Sequence, residues 1–103
     1  MDIVKVSRAL SDPLRFSILK RIAQGDHRDC CDNGQTFPEP AGVCVCHLVD
    51  GMGLGQSKVS YHIKELKEAG LIREYTHGKW NHNYLQKDVL YAYWEAVSRE
   101  LNL

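Results

Sequence analysis

Apolar side chains recur every three or four residues along the first quarter of the chain, which predicts two helices. Residues 2–10 form the first predicted helix, and its apolar side comprises Ile3, Val6 and Leu10. Ser11 or Asp12 can accept a hydrogen bond from an unpaired amide of a second helix, predicted over Pro13–Gln24. Gly25 follows as a natural stop, because glycine readily adopts the left-handed conformation that ends many helices.

The helical pattern breaks over residues 26–42, which contain two glycines, two prolines and little apolar periodicity. This segment is predicted to be a long loop, and it carries Cys30 and Cys31. Helical spacing resumes over residues 43–52 and again over 56–69, with a turn containing glycine between the two helices. The predicted core face of the second of these helices comprises Val59, Ile63, Leu66 and Ala69.

Two short strands and a final helix complete the pattern. Residues 71–76 and 79–85 are predicted as strands joined around Gly78, the kind of residue that a hairpin turn needs. Apolar residues at helical spacing then predict a helix over residues 87–101. Two short helices followed by a hairpin are typical of a winged helix-turn-helix, so residues 1–103 are predicted to form one domain, mainly α with a small β-hairpin.

The second helix of the pair presents polar side chains away from its apolar face, as a helix that enters the major groove of DNA does. Over residues 56–82 five cationic side chains outnumber three carboxylates, a local net charge of +2. His77 and His82 lie in the predicted wing, which favours proximity to phosphate. A solvated polar helix beside a surface hairpin is the simpler alternative for each element alone, but the combined order favours DNA binding. The predicted DNA contacts are Gln56, Ser57, Lys58, Ser60, Tyr61, His62, Lys64 and Lys79.

Composition narrows the class of protein without identifying a partner. The 103 residues carry a formal net charge of zero, so only a local patch can attract nucleic acid. No apolar run approaches the length of a membrane span, and we expect a cytoplasmic protein without a membrane partner. The four cysteines are then expected to be reduced thiols. The chain has no phosphate-binding glycine loop, no nucleophile elbow and no C-x-x-C motif, so the sequence does not indicate an enzyme.

Four blocks of sequence, LSDPLRFSILKRI, VCVCHL, QSKVSYHIKELKEAGLI and THGKWNHNYL, follow one another across residues 6–86. Together they resemble the ArsR/SmtB family of metalloregulatory repressors. The resemblance implies a homodimer that binds double-stranded operator DNA with an inverted repeat and releases it when an inducer binds. The predicted loop at 26–42 is longer than the family pattern leads us to expect.

The resemblance also implies that the first and last helices build the dimer. The residues themselves favour this, because these helices carry more apolar surface than one small domain comfortably hides. The alternative is that they only close the core of the monomer. The predicted interface residues are Ile3, Val6, Leu10, Leu90, Trp94, Val97 and Leu101.

Cys44 and Cys46 stand at the start of the predicted helix over residues 43–52. VCVCHL resembles the Cys-Val-Cys segment of the arsenite and cadmium/lead sensors of the family. Val49 stands where the arsenite pattern has a third cysteine, so the helix site is incomplete, and Cys30 or Cys31 can complete it from the loop. Residues two apart on a helix do not face each other, so joining both helical cysteines to one ion is predicted to distort the first turn and tilt the recognition helix.

Arsenite is the predicted inducer, because thiolates are soft ligands that select soft ions, and no obligatory cofactor is expected. A sensor of Cd(II), Pb(II) or Zn(II) with the same thiolates is one alternative. A redox or persulfide sensor is another, and its disulfide between loop and helix would need Cα atoms within about 7 Å. A structural zinc site and a protein-interaction module are further alternatives, although the module leaves the cysteines and the recognition helix unexplained.

Overall fold

The computed structural model describes residues 1–25, 43–77 and 80–103. Cys30, Cys31 and Lys79, all predicted site residues, therefore lie outside the described residues, as does the side chain of Cys46. Within the described ranges, no helix combines the length and the apolar character that crossing a membrane requires.

Five helices and three strands follow one another along the described part of the chain. They are α1 (Ile3–Leu10), α2 (Pro13–Gln24), β1 (Val43–Cys44), α3 (Val45–Met52), α4 (Gln56–Glu68), β2 (Ile72–His77), β3 (Trp80–Leu85) and α5 (Lys87–Glu100). The helices and the hairpin stand in the predicted order, so the prediction of a mainly helical domain with a small sheet is confirmed.

The start of the third predicted helix is wrong, because residues 43 and 44 form the short strand β1. Val43 and Cys44 pair antiparallel with Asn83 and His82 of β3, respectively. The fully buried side chain of Asn83 adds a hydrogen bond, with Nδ2 donating to the carbonyl oxygen of Val43 at 3.1 Å. A short apolar run does not distinguish a buried strand from a helix by periodicity alone. The sheet consequently has three strands in the order β1-β3-β2 rather than a hairpin alone.

The ends of α2 follow the capping residues in the sequence. Asp12 Oδ1 accepts hydrogen bonds from the backbone amides of Leu14 at 2.9 Å and Arg15 at 3.0 Å. These bonds, that from Arg15 foremost, lower the pKa of the Asp12 carboxyl below its ordinary value. At the other end Gly25 is left-handed, with φ of 61°, and its amide donates to the carbonyl of Ile22. Both predicted signals therefore define this helix.

The core lies where α1, α2, α3 and α4 meet one face of the sheet. Its fully buried apolar residues are Val6, Ile18, Leu48, Val59, Leu66 and Leu71. The position of Val6 corrects one prediction: this side chain is 0% exposed within its own chain, so it packs in the monomer core and is not free to contact a partner.

The outer face formed by α1 and α5 is apolar and exposed. A hydrogen bond of 2.7 Å between the hydroxyls of Ser7 and Tyr93 joins the two helices, yet no residue of α5 is buried. Ile3, Leu10, Leu90 and Val97, all predicted interface residues, are half-buried. The exposed large apolar side chains of these two helices and of the residues next to them are Met1, Val4, Tyr91, Trp94, Leu101 and Leu103. Trp94 is 70% exposed, so one chain leaves much of this large apolar side chain in water.

Candidate DNA-binding surface and cysteine site

α3 and α4 form a helix-turn-helix unit with a tight connection. Gly53, just beyond α3, has φ of +64°, a left-handed conformation that side chains other than glycine rarely adopt. α4 begins after Gly55, which supplies no side-chain hydrogen bond to the first turn. The amides of that turn are therefore uncapped by a side chain, and such amides bind phosphate oxygens well.

One face of α4 is polar and exposed, and the opposite face is buried. Val59, Ile63 and Leu66 pack into the core, as predicted. Six of the eight predicted DNA contacts are exposed on this helix: Gln56, Ser57, Lys58, Ser60, Tyr61 and Lys64. Amide, hydroxyl and ammonium groups on one helical face can reach base edges and phosphates together when the helix lies in the major groove.

The cations near this face differ in what surrounds them. Lys67 Nζ lies 3.3 Å from Glu74 Oε1, an ion pair between α4 and β2. The Arg73 guanidinium lies over the ring of Tyr84, 5.2 Å from its centre. Among the described residues, neither Lys58 nor Lys64 forms an ion pair with a carboxylate. These two lysines are consequently the cations of α4 best placed to contact phosphate.

His62 does not belong to the exposed face, which corrects the prediction that it contacts DNA. Its side chain is 5% exposed, and its Nδ1 accepts a hydrogen bond of 3.2 Å from Arg15 Nε. Burial lowers the pKa of His62, because loss of solvent disfavours the charged imidazolium. His82 is also 5% exposed, so its side chain is not presented at the surface of the wing for contact with phosphate.

Arg15 is a structural residue that the sequence pattern did not single out. Its side chain is 7% exposed, although arginine is seldom buried. The available signal was its position, since Arg15 lies in helical phase with the buried residues Ile18, Leu19 and Ile22 of α2. A cation on the apolar side of a helix needs hydrogen-bond acceptors in the interior, and His62 is one of them.

Cys44 lies in β1 and not on the helix where it was predicted. It is 6% exposed and stands opposite His82 of β3, which in turn stands opposite Tyr75 of β2. Directly opposed residues in antiparallel strands project to the same side of the sheet, so the three side chains form one cross-strand row. α3 begins at the next residue, and Cys46 lies in its first turn. Cys44 therefore stands where the wing, the sheet and the helix-turn-helix meet.

The predicted thiolate site stays a prediction. Among the described residues no group of three or more His, Cys, Asp and Glu side chains is arranged to hold a metal ion. Cys30, Cys31 and the Cys46 side chain, three of the four predicted ligands, lie outside that part of the chain. Thiolates in such a set would suit a soft ion.

A helix-turn-helix with an exposed polar second helix, flanked by a β-hairpin, defines this chain as a winged helix-turn-helix DNA-binding protein. The family model described as "Bacterial regulatory protein, arsR family" matches residues 42–74 of the chain. An HTH-type transcriptional regulator of Methanocaldococcus jannaschii is 31% identical over 84 residues, which are 82% of this chain and 78% of that protein. The chain belongs to the ArsR family of transcriptional regulators and is not an enzyme.

Two further relatives show the range of this similarity. The arsenical resistance operon repressor of Bacillus subtilis is 35% identical over 75 residues, which cover 73% of this chain and 57% of that protein. The solution structure of a homodimeric winged helix-turn-helix DNA-binding domain from Mycobacterium bovis has a TM-score of 0.67 at 19% identity. It covers 97% of this chain and 77% of that one, and at this identity it shows the fold alone.

Proposed function

We propose that this regulator is an arsenite-responsive repressor, which binds an inverted-repeat operator as a homodimer and leaves it when As(III) binds its cysteines. The single observation that carries the proposal is the position of Cys44, which pairs with the wing through β3 and directly precedes α3. The name of the Bacillus subtilis relative, an arsenical resistance operon repressor, supports the choice of inducer. We further propose that it acts in the cytoplasm, where operator DNA is accessible.

The exposed face of α4 is the proposed reading surface. Lys58 and Lys64 would contact phosphates, while Gln56, Ser57, Ser60 and Tyr61 would contact base edges or sugar. Lys79, in the connection between β2 and β3, would add a phosphate contact from the wing. Tyr61 is 53% exposed, so about half of it is open to solvent and can reach the groove.

The homodimer is proposed to form through the outer face of α1 and α5. Its exposed aromatic residues, Tyr91 and Trp94, are of the type enriched at the centre of protein interfaces. The homodimeric domain of Mycobacterium bovis supports such an assembly for this fold. Two-fold symmetry would place the α4 helices one turn of DNA apart, about 34–36 Å, as an inverted repeat requires.

The inducer is proposed to bind Cys44, Cys46 and one of Cys30 and Cys31. Cys44 is 6% exposed, and we propose that its capture of an ion together with Cys46 shifts β1 or turns α3 at its start. Movement of β1 would be transmitted to β3 and the wing, and movement of α3 to α4, against which it packs. Both DNA-contacting elements would thereby leave their positions on the operator.

A thiol count tests the arsenite site directly. Sodium arsenite should protect three of the four thiols of the reduced protein from a thiol reagent, and the same addition should release a labelled duplex from its own promoter region. Cys44→Ser and Cys46→Ser should each abolish release while leaving DNA affinity without arsenite unchanged. Cys30→Ser and Cys31→Ser identify the third ligand, and protection of no thiol would exclude the site.

Cadmium or zinc sensing is the second candidate, and one observation favours it. His82 stands directly opposite Cys44, on the same side of the sheet, and imidazole beside thiolate suits Zn(II) and Cd(II) better than As(III). His82→Asn should then weaken release by cadmium and leave release by arsenite unchanged. Release by an oxidant alone, reversed by dithiothreitol, would instead favour redox sensing.

A further inference from the structure

The buried guanidinium of Arg15 joins the end of α1 to the recognition helix. Its Nε donates to His62 Nδ1 at 3.2 Å, and its Nη1 lies 3.4 Å from the carbonyl oxygens of Arg8 and Ala9 at the end of α1. The same guanidinium lies 5.9 Å from the ring centre of Tyr61, a residue of the exposed face of α4. One side chain on α2 therefore contacts the proposed dimer helix and two consecutive residues of α4.

The hydrogen bond between Arg15 and His62 requires a neutral imidazole. Arginine keeps its charge and has only donors, so the bond exists only while His62 Nδ1 carries a lone pair. In the imidazolium both ring nitrogens are donors, so the cation offers Arg15 no acceptor. With a proton on Nδ1, an N–H of His62 would face the N–H of Arg15, and two positively charged side chains would lie next to each other in the protein interior.

The charges that surround His62 come from two helices. On α2, Asp12 favours the imidazolium and Arg15 disfavours it; on α4, Glu65 favours it and Lys58 disfavours it. Burial is the largest influence, and it lowers the pKa of His62. The neutral form is thus the form that the folded protein favours, and acid must overcome that preference to protonate the ring.

Water can reach the Arg15 side of this pair. A cavity of about 180 Å³ lies beside it, bounded by Lys5 and Arg8 of α1, Arg15 of α2, and Tyr61 and Glu65 of α4. A cavity of this size holds several water molecules beside Arg15, and the described residues that line it do not include His62.

We propose that Arg15 is a positioning residue for DNA binding, which holds α4 in its DNA-binding orientation through His62 and releases it when His62 is protonated. The proposal rests on the DNA-binding function of the chain and is independent of the inducer. The affinity for DNA then falls as the pH falls, which is the opposite of the usual direction. Protonation of exposed histidines adds positive charge and strengthens DNA binding, whereas protonation of His62 weakens it.

The test is the affinity for a fluorescein-labelled duplex of the promoter region, measured by anisotropy from about pH 8 to about pH 5.5 at constant salt. The wild type should lose affinity severalfold over this range, with most of the loss below about pH 6.5, because the pKa of His62 lies below its ordinary value. His62→Asn keeps an acceptor near the position of Nδ1 but cannot be protonated there, so its affinity should stay level or rise. His77→Asn, in β2, is the matched control and should keep the acid-induced loss.

A second measurement separates this proposal from failure of DNA binding. Circular dichroism at each pH verifies folding, and NMR titration of the imidazoles gives the pKa of His62 in the wild type and in Arg15→Met. Loss of the guanidinium should raise that pKa, because a positive charge and its hydrogen bond are removed. Parallel pH profiles for the wild type and His62→Asn would overturn the proposal. If the duplex binds at no pH, the proposed DNA-binding function is wrong. The coupling between Arg15 and His62 is tested separately, and a His62 pKa that is unchanged in Arg15→Met would overturn it.

Discussion

The hydroxyl oxygens of Ser7 and Tyr93 lie 2.7 Å apart, and their hydrogen bond joins α1 to α5 in a chain where no side chain of α5 is buried. The two helices of the proposed dimer face are thereby held together within one protomer. Leu90 and Leu10 add half-buried apolar contacts to the core beneath them. A partner would meet a surface whose two helices are already in place, which lowers the entropic cost of association.

Removal of that hydrogen bond should destabilise the protein measurably. Tyr93→Phe is expected to lower the free energy of unfolding by about 1 kcal/mol, the usual contribution of one hydrogen bond. Urea denaturation at a fixed protein concentration measures the change. Ser7→Ala should cost a similar amount, and the double variant should cost little more than either; strictly additive losses would show that the two hydroxyls do not interact.

The exposed indole of Trp94 should be a major contact between protomers. Trp94→Glu places a charge on the apolar face of α5 and is expected to raise the dimer dissociation constant by at least about tenfold. Sedimentation velocity over a concentration series measures it. Phe16→Glu is the control, because Phe16 is 46% exposed on α2, outside the proposed face. Equal effects of the two variants would place the interface elsewhere.

The salt dependence of DNA binding should identify the phosphate contacts of α4. Lys64→Ala is expected to reduce the slope of log affinity against log salt by about one for each phosphate that the side chain neutralises, hence about two for a symmetric dimer. Lys67→Ala serves as a matched control on the same helix, since Lys67 is paired with Glu74 at 3.3 Å. A larger change in Lys67→Ala than in Lys64→Ala would contradict the proposed reading surface.

Two glycines should respond to alanine with opposite sign. In α3, a Cβ on Gly51 would meet only the flexible end of Arg21, with Nη1 2.6 Å away, so the guanidinium can move and Gly51→Ala should stabilise by about 0.5–1 kcal/mol. Gly70 has φ of +80°, and Gly70→Ala should cost about 1–2 kcal/mol through backbone strain. Thermal denaturation compares them, and a destabilised Gly51→Ala would mean that the position of Arg21 is fixed.

The loss of stability at acid pH should depend on Asp12. Its pKa is lowered in the folded protein, chiefly by the amide of Arg15, so the ionised cap stabilises above the usual pKa of a carboxyl and loses this effect as the pH falls through the lowered value. Asp12→Asn keeps a side-chain oxygen for the cap but not the charge. The wild type should have a higher melting temperature than this variant at neutral pH, and the two melting temperatures should converge in acid. A difference that stays constant with pH would show that ionisation of Asp12 does not contribute to stability.

Local signals predicted most of the fold. Asp12 and Gly25 act through their own chain neighbours, so the sequence shows where α2 starts and ends. The buried face of α4 follows from the spacing of Val59, Ile63 and Leu66. β1 could not be predicted in this way, because its two residues are held by a strand about forty residues away in the chain.

The site was predicted less completely, because polar residue types do not reveal which side chains are buried. His62 has a side chain that could contact DNA. It directly follows the exposed Tyr61 in the sequence, but its side chain is buried and bonded to Arg15 of α2. Val6 is apolar, as an interface residue would be, yet the monomer core already encloses it. In both cases the packing of a distant segment decides the role.

The ion pair between Lys67 and Glu74 affects how the protein searches chromosomal DNA for its operator. The chain has a formal net charge of zero and Lys67 is paired with Glu74, so attraction to DNA of arbitrary sequence rests on a few cations such as Lys58 and Lys64 and is expected to be weak. A regulator competes for its operator against millions of other sites, so weak background occupancy leaves more molecules free to find it. A small number of copies per cell would then suffice to keep one promoter silent.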